Sequence, residues 1–210
     1  MKEAWQARLV RALIVALCTT ILCGCGVFTP PAAQPRLGLL DELPAELAAR
    51  DAPPRRAATI LVGAPQTQRA YDTTQMAYML REHEIAYYRD HEWGATPSEM
   101  LQPLLVSTLQ RTRAFAAVLA APSIGPATYV LQAHVGALVQ DFTGPAPVVR
   151  LSLHVQLSDP LSHRASSREF LVDEPMARAG PEAGIDAANR AIAKALQNVA
   201  RFVLESTAAD

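Results

Sequence analysis

Cysteine is nearly absent from this chain. Three occur, Cys18, Cys23 and Cys25, all inside the hydrophobic opening "ALIVALCTTILCGCGVF", and none follows. That distribution excludes a disulfide framework and a cysteine-built zinc site, so the fold has to stand on packing alone. Lysine is as scarce, with Lys2 and Lys194 the only two, and the 19 basic residues are balanced by 20 acidic ones. Nucleic-acid binders carry a basic patch or stripe, and nothing in this charge pattern supplies one. Also missing are the GxSxG nucleophile elbow, the HExxH zinc helix, the GxxxxGK[ST] phosphate loop and the GxGxxG dinucleotide fingerprint. No apolar run reaches the ~20 residues that cross a bilayer as a helix.

What is present at the start has three zones: a charged tip with Lys2, Arg8 and Arg11, an apolar run from Ala12 to Leu22, and a small-residue exit. This is the layout of a secretion signal. The exit reads Leu22, Cys23, Gly24, Cys25, which resembles the bacterial lipoprotein box: an aliphatic residue, a variable one, a small one, then the lipid-accepting cysteine. Only Cys25 fits, because Cys23 and Cys18 would put Leu22 and Leu17 at the small-residue position. The Ala-x-Ala-like site of an ordinary cleaved signal is absent. Residues 1–24 are therefore read as a lipoprotein signal peptide and Cys25 as the lipidation site. Lipoproteins of this type carry three acyl chains such as palmitate; at ~0.8 kcal/mol per buried methylene one chain holds a protein marginally, and two or more hold it firmly. Gly26 stands where an Asp retains such proteins in the inner membrane, so the expected location is the periplasmic face of the outer membrane. Cleavage leaves sixteen basic and nineteen acidic residues.

Residues 25–58 are rich in Pro and Ala and read as a tether interrupted by an apolar knot, "RLGLL", a candidate first strand. Residues 59–207 read as one α+β domain, large enough for a real core. "TILVGAP" predicts a buried strand, and "QMAYMLREHEIAYYRDHEWG" a hairpin in which Met76, Tyr78 and Leu80 alternate with their neighbours, as do Ile85, Tyr87 and Arg89. "TPSEML" opens a helix, with Thr96 as cap, Pro97 in the first position and Glu99 closing a capping box. Met100, Leu101, Leu104, Leu105 and Leu109 follow at helical spacing, and Pro103 inside that run predicts a bend. In "TYVLQAHVGALVQDF" Tyr129, Leu131, Ala133, Val135, Ala137 and Val139 share one face, and Gln132, His134 and Gln140 the other. In "VVRLSLHVQLSD" Val149, Leu151, Leu153, Val155 and Leu157 oppose Arg150, Ser152, His154 and Gln156. These are strands of an antiparallel sheet with one dry and one wet side, joined through "TGPAP" and extended by "SSREFLVDE". A last helix begins near Pro181, with Ile185, Ala188, Ile192, Ala195, Leu196, Val199 and Val203 along one stripe. The expected architecture is a two-layer α+β sandwich, a mainly antiparallel sheet with two helices on one face.

Chemistry-bearing side chains are few. His134 and His154 could meet across neighbouring strands, yet two imidazoles without further ligands make a poor zinc site, and they read as solvated residues of the wet face. Glu82, Glu84, Asp90 and Glu92 alternate with Arg81, His83, Arg89 and His91, a solvated hairpin edge. No catalytic, metal or cofactor assignment follows. The more unusual feature is an aromatic cluster of Tyr71, Tyr78, Tyr87, Tyr88 and Trp93. Side chains with an apolar body and a polar tip suit a core margin and a partner surface equally well, so Tyr78, Tyr87, Tyr88 and Trp93 are candidate interface residues.

The segment "YDTTQMAYMLREHEIAYYRDHEWGATPSEMLQPLLVSTLQRTRAFAAVLA" resembles the ABC-type transport auxiliary lipoprotein family, which includes the lipoprotein of the paraquat-inducible intermembrane transport system. The shared order is a Met-x-Tyr strand (Met76, Tyr78), a tyrosine-rich strand ending in Trp93, a Pro-led helix opening with Thr96 and Pro97, and a Leu-rich run closing at Phe115 and Val118. Departures are the insert-like "LPAELAARDAPPRRA", the internal Pro103, and Arg113 and Ala114 where a Ser-Gly-like pair commonly precedes the Phe. The resemblance implies a non-enzymatic outer-membrane lipoprotein without cofactor. Its partners would be an ABC permease, its ATPase and a membrane-anchored protein with the mammalian-cell-entry domain, together moving lipids or other apolar molecules between membranes. A symmetric conduit would suit a homo-oligomer. The rival from another class is a lipoprotein that activates or scaffolds a cell-wall enzyme.

Overall fold

The computed structural model describes residues 34–46 and 55–208; the signal peptide, Cys25 and most of the tether fall outside them. In chain order the elements are β1 (Arg36–Gly38), β2 (Arg55–Val62), β3 (Gln66–Thr67), β4 (Gln75–Arg81), β5 (Glu84–Trp93), α1 (Pro97–Arg111), β6 (Phe115–Ala120), β7 (Tyr129–Asp141), β8 (Val148–Asp159), β9 (Arg164–Pro175) and α2 (Pro181–Ala208). The α+β class is as expected: both helices cover one face of a single sheet and share one apolar core with it.

The sheet is organised around β7. Along one edge β7 takes three parallel partners in succession, β2 against Tyr129–Leu131, β3 against His134 and Val135, and β4 against Gln140 and Asp141. Along the other edge it pairs antiparallel with β8, which pairs antiparallel with β9. Beyond β2 lies β6, and beyond β4 lie β5 and the short β1. The sheet is thus mixed, its longest ladders antiparallel.

Alternation in β8 is as read, with Val149, Leu151, Leu153, Val155 and Leu157 buried. In β7 it holds only to Val135. Val135 pairs with Leu153 but Ala137 pairs with Ser152, so Gly136 is an extra residue, a bulge. A bulge turns every following side chain to the opposite face. Leu138 therefore joins the main core, while Ala137 and Val139 move to a small second core on the far face with Tyr71, Ala77 and Tyr87. The same shift buries Gln140, which the simple period assigns to the wet side. A glycine fits at the bulge, since a Cβ there would lie 2.8 Å from Ser152 Oγ.

α1 has the full capping box. Glu99 N–H donates to Thr96 Oγ1 at 3.4 Å, and Glu99 Oε2 accepts from Thr96 N–H at 2.9 Å. Pro103 leaves the helix unbroken from Pro97 to Arg111. Both Pro103 and Glu99, whose carbonyl loses its amide partner, lie on the exposed side, where the freed acceptor is open to solvent. The helix ends with Thr112 Oγ1 donating to Leu109 O at 2.6 Å and Arg113 at φ 55°.

α2 buries Ala188, Ile192, Ala195, Leu196, Val199 and Val203, and Ile185 is half-buried. It also holds the chain before β2. Asn189 Oδ1 accepts the amides of Asp41 (2.9 Å) and Glu42 (3.1 Å), and its Nδ2 donates to Leu39 O at 2.8 Å. Leu40 is buried beside it. Towards β9, Glu174 is buried and accepts from Arg190 Nε at 2.8 Å and Lys194 Nζ at 2.5 Å. Burial pushes its pKa up, but the hydrogen bonds and charges of Lys194 and Arg190 outweigh that and leave it below the ordinary carboxylate value.

Two outcomes follow. A carboxylate with a depressed folded pKa stabilises the fold above its unfolded pKa and ceases to as pH falls through the folded value. Urea melts below about pH 4.5 should therefore show wild type losing stability to acid more steeply than Glu174→Gln, with the two curves converging at low pH. Arg113 has a left-handed backbone at an exposed helix end, where a Cβ costs about 1 kcal/mol; Arg113→Gly should raise the urea midpoint.

Candidate functional site

The hairpin β4–β5 carries the candidate aromatics, and its irregular register decides where each one goes. Ala77 pairs with Tyr87 and Gln75 with Glu92, so Tyr88, Arg89, Asp90 and His91 lie opposite the single residue Met76. The extra length rotates β5. Tyr87 stays on the far face, its hydroxyl donating to Ala70 O at 2.8 Å within the second core. Tyr88 turns to the helix face and packs against Tyr78, ring centroids 4.6 Å apart and planes tilted by 41°, with Phe142 edge-on to Tyr78 at 6.5 Å. Trp93 is in the main core. Tyr71 is buried on the far face. The four candidate residues are therefore split: only Tyr78 and Tyr88 form a joint patch on the helix face.

Beneath that patch is a polar junction that the sequence reading did not assemble. Tyr88 O–H donates to Gln140 Oε1 at 3.0 Å. The Gln140 amide sits in a notch of α2 created by Gly184, where a Cβ would lie 2.0 Å from Gln140 Cδ. Burial, then the neighbouring Tyr78, Glu182 and Asp90, push the Tyr88 phenol up to about 12, so it remains a donor at any physiological pH. His91 is buried, against the expectation of a solvated edge, because the register shift aims it at the start of α2. Its Nδ1 lies 3.1 Å from Asp90 Oδ1 and its Nε2 3.5 Å from Glu182 Oε1, and Arg36 Nη1 reaches the same Glu182 oxygen at 3.2 Å. The hydrogen bond from its own backbone amide in the first turn of α2, helped by the charges of His91, Arg178 and Arg36, holds the Glu182 carboxyl below its usual range. The junction brings β1, β5, β7 and α2 together, with Tyr88–Gln140 as its buried hydrogen bond; among the described residues, both His91 ring nitrogens and Gln140 Nε2 make no hydrogen bond.

His134 and His154 are direct partners in the β7–β8 ladder and line an open groove of about 330 Å³ with Gln66, Gln132 and Gln156. Among the described residues no three His, Cys, Asp or Glu side chains come together as a metal site, and no helix is long and apolar enough to cross a membrane. Glu82, Glu84, Asp90 and Arg89 are exposed, with Arg81 Nη1 paired to Glu84 Oε2 at 3.3 Å. Cys25 lies outside the described residues.

Comparison with known proteins places this geometry. The family model described as "ABC-type transport auxiliary lipoprotein component" matches residues 40–200. A crystal structure of protein XCC0632 from Xanthomonas campestris superposes with a TM-score of 0.74 at 20% identity, covering 83% of this chain and 98% of that one. A crystal structure of an uncharacterised protein superposes with a TM-score of 0.64 at 13% identity, covering 81% and 99%. Both show a shared fold. No curated protein matches significantly.

The notch makes a signed prediction. Gly184→Ala should displace the Gln140 amide, break the Tyr88 bond and lower stability by about 1–3 kcal/mol. In a Gln140→Ala background the space is free, and Gly184→Ala should stabilise by up to about 1 kcal/mol through helix propensity. A double-mutant cycle read by urea unfolding checks the reversal.

Proposed function

The chain belongs to the ABC-type transport auxiliary lipoprotein component family, and from that premise we propose that it is anchored through acylated Cys25 to the periplasmic face of the outer membrane. There it acts as the non-enzymatic auxiliary part of a system that moves lipids or other apolar molecules between membranes. The family match over residues 40–200 carries this reading. The lipoprotein box ending in Cys25 and the Gly26 that follows it support the anchor and its membrane. In this reading the permease, its ATPase and a protein with the mammalian-cell-entry domain supply energy and conduit, and this domain contributes contact at the outer membrane.

The side chains agree with work by contact. Of the polar groups under the Tyr78–Tyr88 patch, the Tyr88 hydroxyl is spent on Gln140, and His91 is buried 3.5 Å from Glu182. Of the candidate interface residues, Tyr78 and Tyr88 are the pair half-exposed together on the helix face, and we assign partner contact to them before Tyr87 or Trp93.

Cys25→Ser should move the protein from the membrane pellet to the soluble fraction on fractionation of envelopes and abolish its biological effect. His134→Ala and His154→Ala should leave both unchanged. A Cys25→Ser protein that still sediments with membranes and still functions contradicts the reading.

A further inference from the structure

The register of the sheet fixes which features share an end of the domain. β4 runs parallel to β7 and meets its last residues, Tyr78 opposite Gln140 and Met79 opposite Asp141, so the β4–β5 turn projects past the C-terminal end of β7. β9 finishes at that end and α2 starts there, with Glu182 in its first turn. β1 runs parallel to β5, starting with Arg36 opposite His91 and paired to Glu182, so the chain enters β1 from that end too. The turn and the entry of the tether lie on the same side.

Two large apolar side chains flank that turn. Leu80 and Ile85 lie immediately inside the Arg81–Glu84 ion pair and are 66% and 38% exposed. Exposure alone says little, since Leu161 in the β8–β9 turn is 86% exposed. Their position distinguishes them. Measured on the regular partner strand, β4 from Met76 opposite His91 to Arg81 opposite Glu84 spans about 17 Å at strand rise, which is how far the turn stands beyond Arg36. The eleven steps from Cys25 to Arg36 reach at most about 40 Å. The tether is therefore long enough for the acyl group and the turn to meet one bilayer surface, whereas Leu161 is separated from the turn by the length of β7, about 40 Å.

We infer that the β4–β5 turn is a second membrane contact: Leu80 and Ile85 dip into the lipid interface beside the acyl anchor and set the orientation of the domain on the bilayer. The occupant is a lipid surface and not an anionic headgroup in particular. Arg81 is paired to Glu84, and Glu82 adds a negative charge at the tip, so contact rests on apolar burial and is insensitive to anionic lipid and to salt. The inference rests on the Cys25 anchor proposed above.

The test uses the full acylated chain in phosphatidylcholine vesicles containing nitroxide-labelled lipid. Processing leaves no thiol other than the acylated Cys25, so a single introduced cysteine takes a fluorophore cleanly. Flotation and quenching are read on the same sample for Glu82→Cys at the turn and Leu161→Cys at the opposite end. The expected result is flotation of both, strong quenching of the Glu82→Cys label, little quenching of the Leu161→Cys label, and loss of turn quenching in the Leu80→Asp/Ile85→Asp variant at unchanged flotation and unchanged thermal melting. Protein that floats with both labels equally quenched, or with turn quenching that survives the double variant, overturns the second contact and leaves the anchor standing. A turn label that stays dark to the lipid quencher on vesicles but crosslinks to a protein in native envelopes also overturns it, in favour of a protein partner. Protein that does not float overturns both readings.

Discussion

Both edges of β7 are occupied, and the arrangement of the domain follows from that ladder. One edge must accommodate three short parallel partners in sequence, while the other is given entirely to β8. β7 pairs with β8 from Val130 to Asp141, and its change of face comes at an inserted residue. Gly136 is that residue, and the second core, the burial of Gln140 and the seat of Tyr88 all follow from it. Displaced by one position, Gln140 would leave the Gly184 notch empty and the Tyr88 hydroxyl without its acceptor.

α2 covers this sheet and holds the chain next to β1. Its apolar stripe covers β8 and β9, Glu174 binds it to β9, and Asn189 fixes the chain at Leu39, Asp41 and Glu42. The segment following β1 is therefore held by hydrogen bonds to side-chain amide atoms, each worth about 1 kcal/mol where buried and all made to one residue. Arg36, at the start of β1, and the buried His91 both meet Glu182 in the first turn of α2.

Much of this was legible in the residues. The capping box of Thr96 and Glu99, the apolar stripe of α2 and the alternation of β8 are local signals, and each produces the element it announces. The family resemblance was carried by equally local features, the Met-x-Tyr strand and the Pro-led helix, and residues 40–200 match that family. What the sequence could not disclose depends on partners far along the chain. A bulge at Gly136 is visible only against β8, and the burial of His91 only against the start of α2. Asn189 inside a helix gives no hint that its amide serves residues almost 150 positions earlier. A glycine within the first turns of a helix, as at Gly184, is the one signal that could have pointed to a close approach there. The aromatic cluster was visible, but its division between two faces was set by the unequal lengths of β4 and β5.

The central claim is that this module works by contact within a transport assembly and not by turnover. Affinity capture of the Cys25-anchored protein from mildly solubilised envelopes, with identification of what accompanies it, tests that claim most directly. The account predicts recovery of a protein with the mammalian-cell-entry domain together with an ABC permease or its ATPase, and reduced recovery on altering Tyr78 and Tyr88. Capture of a glycan-processing enzyme with no transporter component would contradict it.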